Sequence, residues 1–194
     1  MKSKIVLVTG GSRSGKSVFA EQLLASYRGT KAYIATAQAL DIEMRQRIQR
    51  HRERRPASWH TYEVPQGLAS EIGNILSRTD AVLIDCLTLY FSNFLLCHAE
   101  HDPSGVYDLA MQELDVIIKS IQSVPCKQVI FVSNELGSGI VPMDAMTRCY
   151  RDIMGCVNQR VAKEAAQVYF TVSGVTVEMK GLQVILPDVQ EDTL

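Results

Sequence analysis

No stretch of this chain comes near the run of about 20 apolar residues that a bilayer-spanning helix needs, so no transmembrane segment is expected. Charge of one sign is lacking too. Lys and Arg number 20 against 21 Asp and Glu, a formal net charge of −1, which argues against general nucleic-acid affinity and makes any anion binding local. The five cysteines (Cys86, Cys97, Cys126, Cys149, Cys156) form no CxxC pair, and an odd number cannot all pair internally. Several lie inside apolar patterns, so the expectation is reduced thiols and a cytoplasmic protein. Neither they nor the four histidines have the spacing of a structural zinc site. The opening "MKSKIVLVTGG" has too short an apolar core for a signal peptide and runs straight into glycines, which is the pattern of a first strand.

What is present reads as one globular domain over residues 1–194, with 46% hydrophobic and 21% charged residues. "KIVLVTGG", "KAYIATAQ", "DAVLIDCLT", "KQVIFVSNE" and "AQVYFTVSG" read as five strands, and "VTVEMKGLQVILP" as a further pair. Helical spacing appears in "SVFAEQLLASY", in 108–122 (Ala110, Leu114, Ile117, Ile118, Ile121) and in 144–166 (Met146, Tyr150, Ile153, Val157, Val161). Buried strands alternating with amphipathic helices predict an α/β fold with a mostly parallel sheet. The acidic tail "DVQEDTL" is expected to be loosely ordered.

"GGSRSGKS" (Gly10, Gly11, Ser12, Arg13, Ser14, Gly15, Lys16, Ser17) fits the P-loop pattern G-x-x-x-x-G-K-[ST] and lies between a strand and a helix, where the pattern has its meaning. Backbone N–H groups of the loop and helix N-terminus can cradle phosphates. Lys16 would reach the β/γ oxygens and the Ser17 hydroxyl would hold Mg²⁺. Such a site needs an acidic residue at the end of a neighbouring apolar strand, and "AVLID" supplies Asp85. Asn134 and Glu135 end another strand; touching substrate and capping the turn are both open to them.

Residues 44–56, "MRQRIQRHRERRP", hold six of the 20 basic residues (Arg45, Arg47, Arg50, Arg52, Arg54, Arg55) around His51. Pro56 ends a helix running from about Asp41, with Glu43 in its first turn. Met44, Ile48 and His51 fall on one stripe at i, i+4 and i+7, so His51 faces protein. The flanking cations disfavour imidazolium, and guanidinium groups grip phosphate oxygens in bidentate fashion. A neutral imidazole among phosphate clamps suits attack on an α-phosphorus. A solvated basic face with an incidental histidine fits the spacing equally well.

Taken in order, "GGSRSGKS", "YIATAQALDIEMRQRIQRHRERRPASW", "LIDCLTLYFSNFL", "VSNELGSGIVP" and "RDIMGCVNQRVAKEAAQVYFTVSG" resemble the bifunctional adenosylcobinamide kinase / adenosylcobinamide-phosphate guanylyltransferase family of cobalamin biosynthesis, over residues 4 to about 180. The resemblance implies a RecA-like P-loop fold, GTP, ATP and Mg²⁺ as cofactors, and adenosylcobinamide and its phosphate as substrates. A nucleoside triphosphate would phosphorylate the corrinoid; GMP from GTP would then pass through a histidine to the corrinoid phosphate, releasing pyrophosphate. It also implies a homo-oligomer, since members can form trimers. Carried over by position, Gly10–Ser17 grip the nucleotide phosphates, and Thr36, Ala37 and Gln38 line the nucleotide site. His51 is the guanylylated residue, with Arg52, Glu53, Arg54 and Arg55 beside it, and Glu63 and Asp85 are nucleotide or metal positions. Some relatives carry two adjacent histidines here, whereas this chain has Arg50 and then His51. After "VSGV" it also runs past the ending of the shorter relatives.

Two other readings fit the P-loop: a kinase for another small alcohol without a covalent intermediate, and a nucleotide-dependent switch. His60, His98 and His101 have no partner at catalytic spacing and read as surface or loop residues; Trp59 reads as packing, "LLCHAEHDPSG" as a loop placed to border a substrate pocket, and the two glycines of "ELGSGIVP" suit close approach of a bulky ligand, though a plain strand-to-helix connection fits equally well. The P-loop and His51 need not be adjacent without nucleotide, so a swing of the 41–55 helix on GTP binding is expected.

Overall fold

A computed structural model describes residues 3–184, apart from Cys126 and the side chain of Arg47. Its core is a seven-stranded sheet. The strands are β1 (Lys4–Gly10), β2 (Lys31–Ala35), β3 (His60–Glu63), β4 (Ala81–Asp85), β5 (Gln128–Val132), β6 (Gln167–Val172) and β7 (Val175–Glu178), in the order β3-β2-β4-β5-β1-β6-β7. All neighbours are parallel except β6 and β7, which form an antiparallel hairpin. The α/β sheet expected from the sequence is what forms.

Central strands read as unbroken apolar runs because helices cover both faces. Ile5 to Val8, Val82 to Ile84 and Val129 to Val132 are buried on both sides of the pleat. On one face Val6, Val8, Leu83, Ile130 and Val132 pack with Ala20 and Leu24 of α1 (Lys16–Ser26). The other face carries the larger core. There the alternate strand residues meet α3 (Leu68–Arg78), α4 (Leu87–Cys97), α5 (Pro103–Ser123) and α6 (Ala145–Glu164). The remaining helix, α2 (Ile42–Arg54), buries no residue fully among those described. Asp41 caps it by accepting from the Met44 N–H at 2.6 Å, as the short polar side chain and the Glu43 in the first turn foretell. A short 3₁₀ turn at Lys180–Leu182 follows β7.

Four stretches differ from the sequence expectation. The "DAVLIDCLT" strand stops at Asp85, and Leu87 opens α4. α4 is apolar nearly all round, with Leu87, Tyr90, Phe91 and Leu95 buried, so periodicity cannot separate it from a buried strand. β3 is a four-residue edge strand with one half-buried side chain, too short and too polar to signal itself. In "VTVEMKGLQVILP" only Val175–Glu178 is a strand; its end, like the "DVQEDTL" tail, lies outside the described residues. "LLCHAEHDPSG" is mostly helix end and helix start rather than loop.

A buried polar relay ties α3, α4 and α5 together behind the sheet. The Leu68 N–H donates to the Tyr90 hydroxyl at 2.9 Å, and that hydroxyl donates to Glu113. Burial, then the bond to Glu113, pushes the Tyr90 phenol far above its ordinary range, so it is a donor at every working pH. Tyr90→Phe leaves the Leu68 N–H and the carboxylate without this partner. The expected cost is about 1–3 kcal/mol in denaturant unfolding at unchanged m-value.

Candidate active site

β1 delivers the P-loop to the middle of the sheet's C-terminal edge, where α/β folds gather ligands. Gly10 has φ 151°, and a Cβ there would lie 2.2 Å from the Thr171 carbonyl oxygen on β6. Gly15 caps α1 in the left-handed region at φ 98°. The loop is pinned from both sides: Glu135 N–H donates to Gly10 O at 3.2 Å and Gly174 N–H donates to Ser14 O at 2.8 Å. Lys16 is almost wholly buried, and its ammonium donates to Gly11 O at 3.0 Å, across the mouth of the loop. Gly10→Ala must displace backbone rather than a side chain. A loss of at least about 1–3 kcal/mol is expected, read as a lowered thermal midpoint together with weakened nucleotide binding.

The arginine helix stands beside this loop. His51, Arg50, Arg54 and Glu43 of α2 and residues Ser12–Val18 of the P-loop line one cavity of about 420 Å³. His51 thus reaches the phosphate loop's own cavity in this structure. Met44, Ile48 and His51 share the inward stripe predicted for them, against Tyr33, Ala35, Asp85 and Leu89. On its other side α2 walls a larger cavity of about 980 Å³, lined by Ala37, Gln38, Arg45, Arg50, Arg52, Glu53 and Glu63 among others. Arg50 borders both spaces.

The imidazole of His51 is not surrounded by cations alone. Its Nδ1 lies 3.6 Å from Glu21 Oε1, 3.9 Å from Asp85 Oδ2 and 3.4 Å from Arg54 Nη2. Spacing along one helix could count the arginines; it could not see Glu21, on α1, or how near Asp85 comes from β4. Asp85 Oδ2 accepts from the Tyr33 hydroxyl at 2.9 Å, and burial followed by this anion raises the Tyr33 pKa well above normal. Arg55 closes the cage. Its guanidinium lies 3.9 Å above the Tyr33 ring, donates to His51 O at 2.8 Å and to Thr61 Oγ1 at 3.1 Å. Burial lowers its pKa, opposed by Tyr33 and Glu21.

The other sequence-singled residues divide. Ala37 and Gln38 line the larger cavity, whereas the Thr36 side chain is fully buried; it donates to Cys86 O at 2.8 Å and accepts from Cys86 N–H at 2.7 Å, clamping the ends of β2 and β4 together. Arg52 pairs with Glu63, and Glu53 accepts from Gln49 at 2.8 Å. Glu135 caps its own turn by accepting from the Gly137 and Ser138 N–H groups at 2.6 and 3.2 Å. His60 and His101 are exposed, and His98 stacks on Phe94 at 4.2 Å, away from the phosphate loop. Ser17 and Asp85 offer a hydroxyl and a carboxylate oxygen, the hard donors that suit Mg²⁺.

Over residues 6–179 the sequence matches the family described as cobinamide kinase / cobinamide phosphate guanyltransferase. It is 43% identical over 182 residues to the bifunctional adenosylcobalamin biosynthesis protein CobU of Salmonella typhimurium, covering 91% of this chain and 99% of that one. With the bifunctional adenosylcobalamin biosynthesis protein CobP of Pseudomonas aeruginosa it shares 41% identity over 175 residues, covering 90% of this chain and 96% of that one. Among solved structures, a type III secretion system ATPase superposes with TM-score 0.59 at 10% identity, over 94% of this chain and 59% of the ATPase. RadB recombinase superposes with TM-score 0.50 at 15% identity, over 86% of this chain and 73% of its own. At such identities the structural likeness speaks for the RecA-like P-loop fold alone.

Proposed function

The chain belongs to the cobinamide kinase / cobinamide phosphate guanyltransferase family, and on that premise we propose that it runs two reactions at one phosphate loop. In the first, a nucleoside triphosphate such as ATP phosphorylates the aminopropanol hydroxyl of adenosylcobinamide. In the second, GTP gives GMP to His51 and releases pyrophosphate, and the corrinoid phosphate then takes the GMP to form adenosylcobinamide-GDP. The observation that carries this reading is the single cavity lined by both the P-loop and His51.

The division of labour follows from the geometry. Loop N–H groups and Lys16 neutralise the charge on the leaving group, which is pyrophosphate in one reaction and a nucleoside diphosphate in the other. Mg²⁺, held by Ser17 and Asp85, would add charge neutralisation at the phosphates. All polar contacts of the His51 ring among the described residues are made at Nδ1, which leaves Nε2 as the attacking nitrogen. Its lone pair forms the N–P bond as the bond from the α-phosphorus to the bridging oxygen breaks. Splitting one transfer between bulky anions into two displacements lowers each barrier. Arg50 and Arg54 face the phosphate cavity, and Ala37, Gln38, Arg52, Glu53 and Glu63 would receive the rest of the nucleotide on the far side of α2.

The helix of residues 41–55 is then a guanylylation arm on a single nucleotide-binding domain spanning 1–194. Any swing on GTP binding begins from a position already at the P-loop. Free thiols at Cys86, Cys97, Cys149 and Cys156 support a cytoplasmic protein, and no helix among the described residues is long and apolar enough to cross a membrane. The almost fully exposed Ile140 and Met143 support a homo-oligomer, a trimer on the family pattern. Incubation with α-³²P-GTP and Mg²⁺ tests the covalent step: acid-labile, alkali-stable label is expected. Folded protein that binds GTP and takes no label overturns it.

A further inference from the structure

Glu21 has no part in the reactions above, yet it is the carboxylate nearest the His51 ring. It lies on α1 four residues beyond Ser17, hence one helical turn along the face that carries the phosphate-loop serine. Its side chain is only 13% exposed and stands 3.6 Å from His51 Nδ1 and 3.4 Å from Arg54 Nη2. We propose that Glu21 is the positioning residue for His51: it accepts the Nδ1–H of the neutral imidazole and so fixes the tautomer whose Nε2 lone pair attacks the α-phosphorus. This rests on the reading of His51 as the guanylylated residue.

A neutral imidazole carries one N–H, and only when that proton sits on Nδ1 is Nε2 nucleophilic. A carboxylate can only accept a proton's hydrogen bond, and a guanidinium can only donate. In this structure both approach the same nitrogen. Arg54 at 3.4 Å from Nδ1 favours the opposite tautomer, with the proton on Nε2, which cannot attack. Arg54 also lines the phosphate cavity. Arriving phosphates compete for it with the bidentate geometry guanidinium prefers. Once Arg54 turns to them, Nδ1 loses its donor and Glu21 its cation, leaving the two facing each other at near hydrogen-bond range. Asp85 is less available, at 3.9 Å and with Oδ2 already accepting from Tyr33.

The step balances. Nε2 supplies the electron pair of the new N–P bond, and pyrophosphate leaves with the pair of the broken P–O bond. The Nδ1 proton stays on the ring, whose new positive charge faces the Glu21 carboxylate. When GMP passes to the corrinoid phosphate, the N–P pair returns to the ring. Glu21, His51 and Asp85 also bring donor atoms within 4.8 Å of one another, the grouping of a metal site. The Arg54 guanidinium already stands against two of the three, so the cluster is read as an arginine-balanced switch.

Glu21→Gln tests the assignment. Labelling with α-³²P-GTP should show kcat lowered about 10- to 100-fold with KM little changed, the split of a group acting on the transition state rather than on binding. Imidazole ¹⁵N spectra with a non-hydrolysable GTP analogue should show His51 protonated on Nδ1 in the unaltered protein and shifted towards Nε2 in E21Q. Glu21→Asp, which keeps the carboxylate one methylene back, should retain more of the rate than E21Q. Equal labelling by E21Q, an unchanged tautomer, or parallel changes in kcat and KM would each overturn the proposal. If the unaltered protein takes no label but its His51 spectrum still answers to E21Q, the nucleophile reading fails and the contact stands.

Discussion

His51→Ala should abolish labelling by α-³²P-GTP, by about 10⁴-fold or more, while ATP-driven phosphorylation of adenosylcobinamide survives at least in part. The asymmetry follows from position. Among the described residues His51 is the group lining the phosphate cavity that offers a ring nitrogen, and its polar contacts are made at Nδ1, so on the proposed reading Nε2 is the atom lost. The proposed kinase reaction would use a corrinoid hydroxyl as nucleophile, and the change leaves the P-loop and Lys16 in the sequence. Truncation also removes little packing: His51 is itself only partly buried, and Arg55 holds the helix end through the His51 carbonyl, which alanine keeps. Assaying both activities on one preparation therefore distinguishes loss of a nucleophile from loss of fold. Full labelling by H51A would transfer the role elsewhere; equal loss of both activities would make His51 a shared structural element.

How much of this was legible beforehand divides along a physical line. The P-loop announces itself because its constraints are local: Gly10 and Gly15 must adopt positive φ and Lys16 must open a helix, all within eight residues. The strand-terminal Asp85 and the inward stripe Met44–Ile48–His51 were readable for the same reason, since each follows from the period of one element. What stayed hidden depends on pairs far apart in sequence. Glu21 meets His51 across 30 residues, and Tyr33 meets Asp85 across 52. Neither has a spacing signature, because the contacts arise where side chains of α2 meet Glu21 of α1 and from the β2–β4 register. The reading of His51 as ringed by cations was incomplete for that reason: it counted charges on one helix and missed two carboxylates on other elements. Thr36 is a further such case. The family resemblance places it at the nucleotide site, and its hydroxyl bonds the Cys86 backbone, a contact 50 residues away that no spacing announces.

Lys16→Ala is expected to lower both corrinoid phosphorylation and GMP labelling, each by about 10²–10³-fold, the scale of removing one preorganised charge donor. The two proposed reactions would differ in nucleophile but share a leaving-group problem: a phosphate-terminated fragment would depart with added negative charge in each. A single ammonium at the loop mouth answers it for both. Lys16 is fixed for that task by its place as the first residue of α1, by burial to 7% exposure and by its bond to Gly11 O, so little reordering is needed when phosphate arrives. Lys16→Arg should not restore activity, because a planar fork cannot take the place of a compact point charge in so confined a position. Parallel kinetics of the two reactions in K16A, set against the split in H51A, decide whether one loop serves both. If K16A spared labelling while ending phosphorylation, the GTP phosphates would have to lie elsewhere, and the larger cavity beyond α2, with Arg45, Arg50 and Arg52 on its wall, would become their place.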